Sequence, residues 1–303
     1  MKAATKTGNT LLALAGLAVA SMPFWASAYH MQLASTALIA SMFALSLQLL
    51  VGGVGLVSLA HAGFFGLGAY TVYLLGPVPA LFSLPVAALT AGGAALGIGA
   101  LALRTTGFFF LMTTLAFGQM LFFLFHDTPL GGSLDGVFIQ RPSLFWAVTK
   151  AQRPTVFVLL NLSVLSAMYA GLWVLMRTLF GRALLGIKAN EHRMRAMGHD
   201  VQRLKLAAFV LAGMLAGIAG HMAALTDAFV SPDLLGWHRS AEALLMVLLG
   251  GIGFLHGPIL GAFALTLLEE FGPLITERQR LVEGTVILAA VLLLRRGLAG
   301  IGR

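Results

Sequence analysis

The fold class this 303-residue chain predicts is all-α: a polytopic integral membrane bundle of about ten transmembrane helices. Three observations predict it. Apolar residues make up 59% of the chain, charged residues only 10%, and mean hydropathy is +0.92. A soluble domain carries roughly 25% charged residues. Windows such as Leu11–Ala28, Leu33–Val51, Leu81–Leu103 and Phe108–Phe125 hold no charge at all. Each is long enough to cross a hydrocarbon core of about 30 Å as a helix. Basic residues, finally, concentrate in one interior segment, 177–205. No polar stretch approaches the roughly 50 residues of a separate soluble domain. A single transmembrane domain over 1–303 is therefore expected.

The first hydrophobic segment, about 11–28, follows Lys2 and Lys6 and ends on Ala26-Ser27-Ala28. This pattern resembles a cleavable signal peptide; an uncleaved first span kinked at Pro23 is the preferred reading. The next segments cover about 33–51 and 57–75. Between and within them lies a dense glycine run, Gly52, Gly53, Gly55, Gly63, Gly66 and Gly68, around Ser58 and His61. Such a run predicts a broken or closely packed helix, a device transporters place beside their pathway. Ser58, His61 and Gln119 are taken as candidate pathway or broken-helix positions. Segments at 81–103, 107–125, 156–176 and 206–226 are long enough to span. In the last of these, Gly213, Gly217 and Gly220 with Ala212, Ala216 and Ala219 predict a close-packing face.

Segments 241–254 and 257–271 are short and separated by the helix-breaking run Gly250-Gly251-Ile252-Gly253-Phe254-Leu255-His256-Gly257-Pro258. Two short spans and a broken or re-entrant pair near 241–271 are both compatible with this run. A final segment covers about 281–294. Charge decides the parity. With ten crossings and the N-terminus inside, thirteen of the nineteen basic residues face the cytoplasm, with only two acidic ones. The external side then holds Arg141, Lys150, Arg153, Arg239, Arg278 and Arg280 and the remaining nine carboxylates. This is the asymmetry expected of a membrane protein. Both termini are expected in the cytoplasm. The net charge of +8 thus tracks topology and lipid, and no nucleic-acid partner is implied.

Chemistry is sparse. There is no cysteine, so thiolate metal sites are excluded. The phosphate-loop pattern is missing; its nearest approach, Gly181 to Ala189, places Lys188 one residue late and lacks the magnesium-binding hydroxyl. No cofactor is implied and the chain does not read as an enzyme. Ion-coupled carriers place carboxylates mid-span, whereas Glu242, Glu269, Glu270 and Glu283 fall near segment ends. The energy source is then another protein, or the molecule is a passive channel.

The segment 177–205 carries seven basic residues (Arg177, Arg182, Lys188, Arg193, Arg195, Arg203 and Lys205) and only Glu191 and Asp200 as acids. A short helix is predicted from Asn190, a good N-cap, to about Met197, ending at Gly198. It would offer Glu191, Arg193 and Arg195 for ion pairing and Met194 and Met197 for apolar contact. A docking helix for a cytoplasmic partner and a loop of topology-setting charges fit these residues equally.

Three blocks resemble a known family. GRALLGIKANEHRMRAMGHDVQRLKLAAFVLAGMLAGIAG at 181–220, LVGGVGLVSLAHAGFFGLGAYTVYLL at 50–75 and FVSPDLLGWHRSAEALLMVLLGGIGFLHGPILGAFALTLLEE at 229–270 are similar, in order, to LivM-type permeases of branched-chain amino acid ABC importers. The resemblance implies a bacterial inner-membrane subunit paired with a second permease, driven by two cytoplasmic ATPase subunits and fed by a periplasmic solute-binding protein. It implies an ATPase-coupling loop carried by Gly181, Arg182, Asn190, Glu191, Arg193, Ala196 and Gly198. Met194 and Arg195 depart from the Ala and acidic residue frequent there. Gly131-Gly132-Ser133-Leu134-Asp135-Gly136 resembles a family G-G-[ST]-D-G element with Leu134 added. Branched-chain or related amino acids are the implied substrate; urea, a short amide or another amino acid is the alternative, and a passive channel a remoter one.

Overall fold

In a computed structural model the residues described are 16–17, 19–22, 26–76, 78–132, 135–139, 152–275, 284–285 and 297–300. They are helical almost throughout. In chain order the helices are α1 (Ala28–Gln48), α2 (His61–Leu75), α3 (Ala80–Ala102), α4 (Phe108–His126), α5 (Arg153–Arg177), α6 (Leu179–Ala189), α7 (Glu191–Ala196), α8 (Val201–Asp227), α9 (Trp237–Gly250) and α10 (Gly257–Ile275). A two-residue antiparallel ribbon, β1 (Val137–Phe138) with β2 (Phe229–Val230), is the extended structure among the described residues.

Five helices are long and apolar enough to cross a membrane: Ala28–Val54, Phe82–Ala102, Phe108–His126, Arg153–Arg177 and Val201–Asp227. Several turn apolar residues outward. Phe82, Leu89 and Leu96, seven residues apart, lie exposed along α3, and Phe108, Phe109, Met120 and Phe123 along α4. In water such stripes would drive aggregation; against lipid tails they cost nothing. The fold class is therefore a multi-pass helical membrane protein.

Boundaries near 81–103, 107–125 and 156–176 shift by at most a few residues. Three expectations need larger correction. The helix expected at 57–75 starts only at His61, and at about 1.5 Å per residue its 15 residues fall short of a full crossing. The helix expected at 206–226 begins at Val201, because Asp200 caps it by accepting the Arg203 N–H at 3.1 Å. The segment expected at 241–254 begins at Trp237 and is 14 residues long, too short to span alone. Half of the segment at 11–28 and most of that at 281–294 lie outside the described residues, as do Arg141, Lys150, Arg278, Arg280 and Glu283.

The chain divides into two compact units. One comprises residues 1–48, 150–173 and 242–303. In it α1 packs along α10, and the end of α9 turns onto the start of α10. Glycine makes that turn possible: a Cβ on Gly261 would strike the Met246 carbonyl, and one on Gly250 the Gly257 carbonyl. The amide of Gln48 donates to the carbonyls of Ile252 (2.8 Å) and Phe254 (3.0 Å) within the turn, satisfying backbone that no helix pairs.

The other unit comprises residues 49–149 and 174–241. Its centre is α8, which packs on α2 and α3. The predicted small-residue stripe is the contact surface. Gly68 abuts the Gly217 carbonyl, Gly220 abuts the Phe65 carbonyl, and Gly213 faces Ala95. Phe64, Phe110 and Phe209 meet edge-to-face beside it. His221 is fully buried and shares a 2.7 Å hydrogen bond with Ser83, which is how a lone histidine is accommodated in an apolar helix contact.

Candidate functional site

The basic loop is mostly helix. Thr178 caps α6, its hydroxyl accepting the Gly181 N–H at 3.4 Å. Gly181 is buried because its backbone lies against Leu175 and Met176, where a Cβ would not fit. Arg182 is exposed. Leu184 and Ile187 bury the inner face of α6. The chain then turns at Asn190, whose Oδ1 accepts the Arg193 N–H at 2.9 Å and starts α7. The helix stops after one and a half turns. Gly198 takes φ +85°, its N–H donates to the Arg195 carbonyl (2.9 Å), and the His199 N–H donates to the Met194 carbonyl (3.2 Å). That pair of bonds is the Schellman closure, which requires the left-handed residue glycine supplies cheaply.

Two contacts tie α7 down. Met194 turns inward and is buried; a Cβ on Gly186 would meet its sulfur at 2.7 Å, so α6 and α7 pack through that glycine. Glu191 accepts from Arg195 (2.6 Å) and from Lys205 (2.7 Å), the latter on the first turn and a half of α8 and nearly buried. Burial would raise the Glu191 pKa. The Lys205 hydrogen bond and charge, with Arg195, outweigh it and hold the carboxyl below its ordinary range. The sequence-level expectation is corrected on two points. Glu191 and Met194 are not offered outward; they fasten α7 to α8 and α6. What α7 exposes is His192, Arg193, Arg195 and Ala196, with Met197 exposed at its C-cap.

Lys188 and Lys205, read in the sequence only as topology charges, both make specific contacts. The Lys188 ammonium donates to the carbonyls of Val51 (2.8 Å) and Gly52 (3.1 Å). Lys188 as a residue is exposed, yet partial burial of its ammonium lowers the pKa from the ordinary lysine value.

Those carbonyls belong to the helix break. After Gln48 the helix widens into a π turn, Leu49–Val54, and then stops at Gly55, which takes φ +85°. Irregular chain follows to Ala60 before α2 begins. The break is pinned by side chains far away in sequence. Ser240 accepts the Ala62 N–H and donates to the Leu59 carbonyl, both at 2.8 Å. Thr114 accepts the Leu59 N–H at 3.2 Å. Gly118 lets α4 approach so closely that a Cβ there would lie 3.1 Å from the Ala60 Cα. Ser58 and His61 are fully buried at this break, and the Ser58 hydroxyl makes no hydrogen bond. Gln119 follows Gly118 on α4, is half-buried, and its carbonyl oxygen is likewise unsatisfied. The structure thus brings Ser58 and His61 onto one break with Gln119 on the helix beside it. It joins none of the three to the α7 residues. Sequence reasoning missed Ser240, which carries no local signal, noted Thr114 only as a polar group within a span, and reached the π turn only through its glycines.

Among the described residues no group of three or more His, Asp or Glu side chains converges as metal ligands would.

Residues 29–292 match the family described as branched-chain amino acid transport system / permease component. The chain is 32% identical over 286 residues to the high-affinity branched-chain amino acid transport system permease protein LivM of Escherichia coli K12, covering 86% of this chain and 67% of that protein. It is 39% identical over 112 residues to the autoinducer 2 import system permease protein LsrC of Klebsiella pneumoniae, covering 35% of this chain and 32% of that one. It is 31% identical over 147 residues to the xylose transport system permease protein XylH of Escherichia coli K12, covering 46% and 36%. No solved structure matches.

Proposed function

This chain belongs to the branched-chain amino acid transport system permease family, and from that premise we propose that it is the permease of an ATP-driven importer for branched-chain or related amino acids. As a family member it is a multi-pass transport subunit of the ABC-importer kind. The finer reading is that it lies in the bacterial inner membrane with both termini cytoplasmic and pairs with a second permease. It receives solute from a periplasmic binding protein and draws energy from two cytoplasmic ATPase subunits.

The observation that carries the coupling is the fastened α7. A six-residue helix has no stability of its own in water. Here it is capped at both ends, pinned by Met194 and Glu191, and left with Arg193, Ala196 and Met197 exposed. A rigid, solvent-facing helix with cations around an exposed methionine suits a groove on a partner protein. Gly181, Asn190 and Gly198 shape the loop; Arg182, Arg193 and Ala196 lie on its accessible side. The substrate reading rests on the family and on the extent of likeness to the LivM protein. The shorter likenesses to permeases of autoinducer 2 and xylose systems keep the solute a matter for measurement.

The test is uptake in cells that express the importer as their only route for leucine. Labelled leucine should enter, and excess isoleucine or valine should suppress its entry while urea and acetamide do not. Suppression by urea or acetamide, with isoleucine inert, would overturn the amino-acid reading.

A further inference from the structure

The Lys188 contact has a consequence beyond docking. A helix leaves its last carbonyls without intrahelical donors. At the end of the π turn the Leu50 carbonyl accepts both the Gly55 (2.8 Å) and Leu56 (3.1 Å) N–H groups. The next two carbonyls, of Val51 and Gly52, are the ones the Lys188 ammonium takes. A cation at this end of a helix also meets the negative end of its dipole. The lysine stem fits closely: a Cβ on Gly55 would stand 3.3 Å from the Lys188 Cγ, so the glycine that ends the turn also makes room for the side chain that caps it.

The other end of this connection is the docking helix. Lys188 lies in the last turn of α6, two residues before the Asn190 cap, and α6 is packed on α7 through Gly186 and Met194. Only the Asn190 turn separates Lys188 from α7 along the chain, and the packing of Met194 on Gly186 bridges that turn. A displacement of α7 therefore carries Lys188 with it.

We propose that Lys188 is the latch through which the cytoplasmic loop controls the break at Leu49–Ala60: its ammonium holds the carbonyl end of the π turn, and movement of α6 and α7 withdraws it. Withdrawal leaves two carbonyls unsatisfied, so the turn must find other partners by rewinding or by admitting water. Lys188 is a positioning residue; it is not assigned contact with solute. The proposal rests on the coupling function above, because that function supplies the force on α7.

Lys188→Met removes the charge and keeps the stem, while Lys188→Arg keeps a cation. Each is reconstituted in liposomes with the second permease, the ATPase subunits and the binding protein, and leucine accumulation and ATP hydrolysis are measured on the same vesicles. The latch predicts that Lys188→Met assembles with the ATPase subunits as wild type does and hydrolyses ATP within about threefold of it. Accumulation should fall at least tenfold, with Lys188→Arg recovering a substantial part. A merely structural role would lower assembly, hydrolysis and accumulation together, and that result overturns the latch. So does Lys188→Met accumulating leucine within twofold of wild type. If the wild-type chain neither attaches the ATPase nor accumulates leucine under ATP, the coupling function itself fails and takes the latch with it.

Discussion

Glu191→Ala offers the most quantitative test of how α7 is held. The substitution removes two ion pairs. The pair with Arg195 is an i,i+4 contact whose arginine is 55% exposed, and such pairs contribute about 0.3–0.5 kcal/mol. The pair with Lys205 matters more, because that side chain is only 10% exposed. Removing one partner of a fully buried pair costs roughly 3–5 kcal/mol through the uncompensated charge left behind. Glu191 is 29% exposed, so water reaches the site and about half of that cost is the better figure. The sum is about 2 kcal/mol, which corresponds to roughly a 30-fold change in a population. Since a helix this short adds no stability of its own, the loss should appear as up to a roughly 30-fold weaker attachment of the ATPase subunit. The assay is a binding isotherm of detergent-purified chain with labelled ATPase subunit, with amide exchange over 190–199 as the direct readout of local opening. Glu191→Ala with Lys205→Met removes the stranded charge as well and should bind more tightly than Glu191→Ala alone. Unchanged affinity in the single variant, or a double variant no better than it, would refute the assignment of Glu191 to holding the helix.

Three further outcomes follow from particular residues. Gly198→Val forces a β-branched residue into φ +85°, at a cost of about 1–2 kcal/mol; faster amide exchange across α7 and reduced uptake should result, with membrane insertion unchanged. Gly68→Leu drives a side chain into the Gly217 carbonyl where α2 crosses α8; overpacking costs about 1–3 kcal/mol or more, so a lower midpoint of thermal aggregation in detergent is expected, and an unaltered midpoint would show the contact to be loose. Single cysteines, clean in a chain with no native cysteine, should react with impermeant reagent from outside intact cells at position 239 and only after permeabilisation at 104 and 193; external labelling at 193 would invert the topology.

Much of the site was legible because helix ends are local chemistry. Asn190 and Gly198 announce a cap and a stop within nine residues, and the structure starts and ends α7 at them. The small-residue stripe on α8 was equally plain, since helical spacing needs no knowledge of the partner. What stayed hidden was long-range. Lys188 meets carbonyls more than 130 residues earlier in the chain, and Ser240 meets Leu59 and Ala62 across about 180. No periodicity marks such pairings, and a lysine in a basic loop looks like one more topology charge. The start of α2 was misjudged for a different reason. Leu56, Val57, Leu59 and Ala60 are as apolar as a helix interior, so hydropathy continues across a break made by backbone geometry at Gly55 and side-chain bonds from elsewhere. The inward turn of Met194 was hidden likewise, because it depends on the absence of a side chain at Gly186 on another helix.

The most direct test of the central claim is solute accumulation in proteoliposomes that contain this chain, its partner permease and the ATPase subunits. ATP is supplied on the side to which α7 faces, and loaded binding protein on the other. The account predicts that leucine is concentrated above its external level only when both are present, and that no accumulation occurs with a non-hydrolysable ATP analogue. Leucine that merely equilibrates, at the same rate with or without ATP, would identify a passive channel and contradict the account.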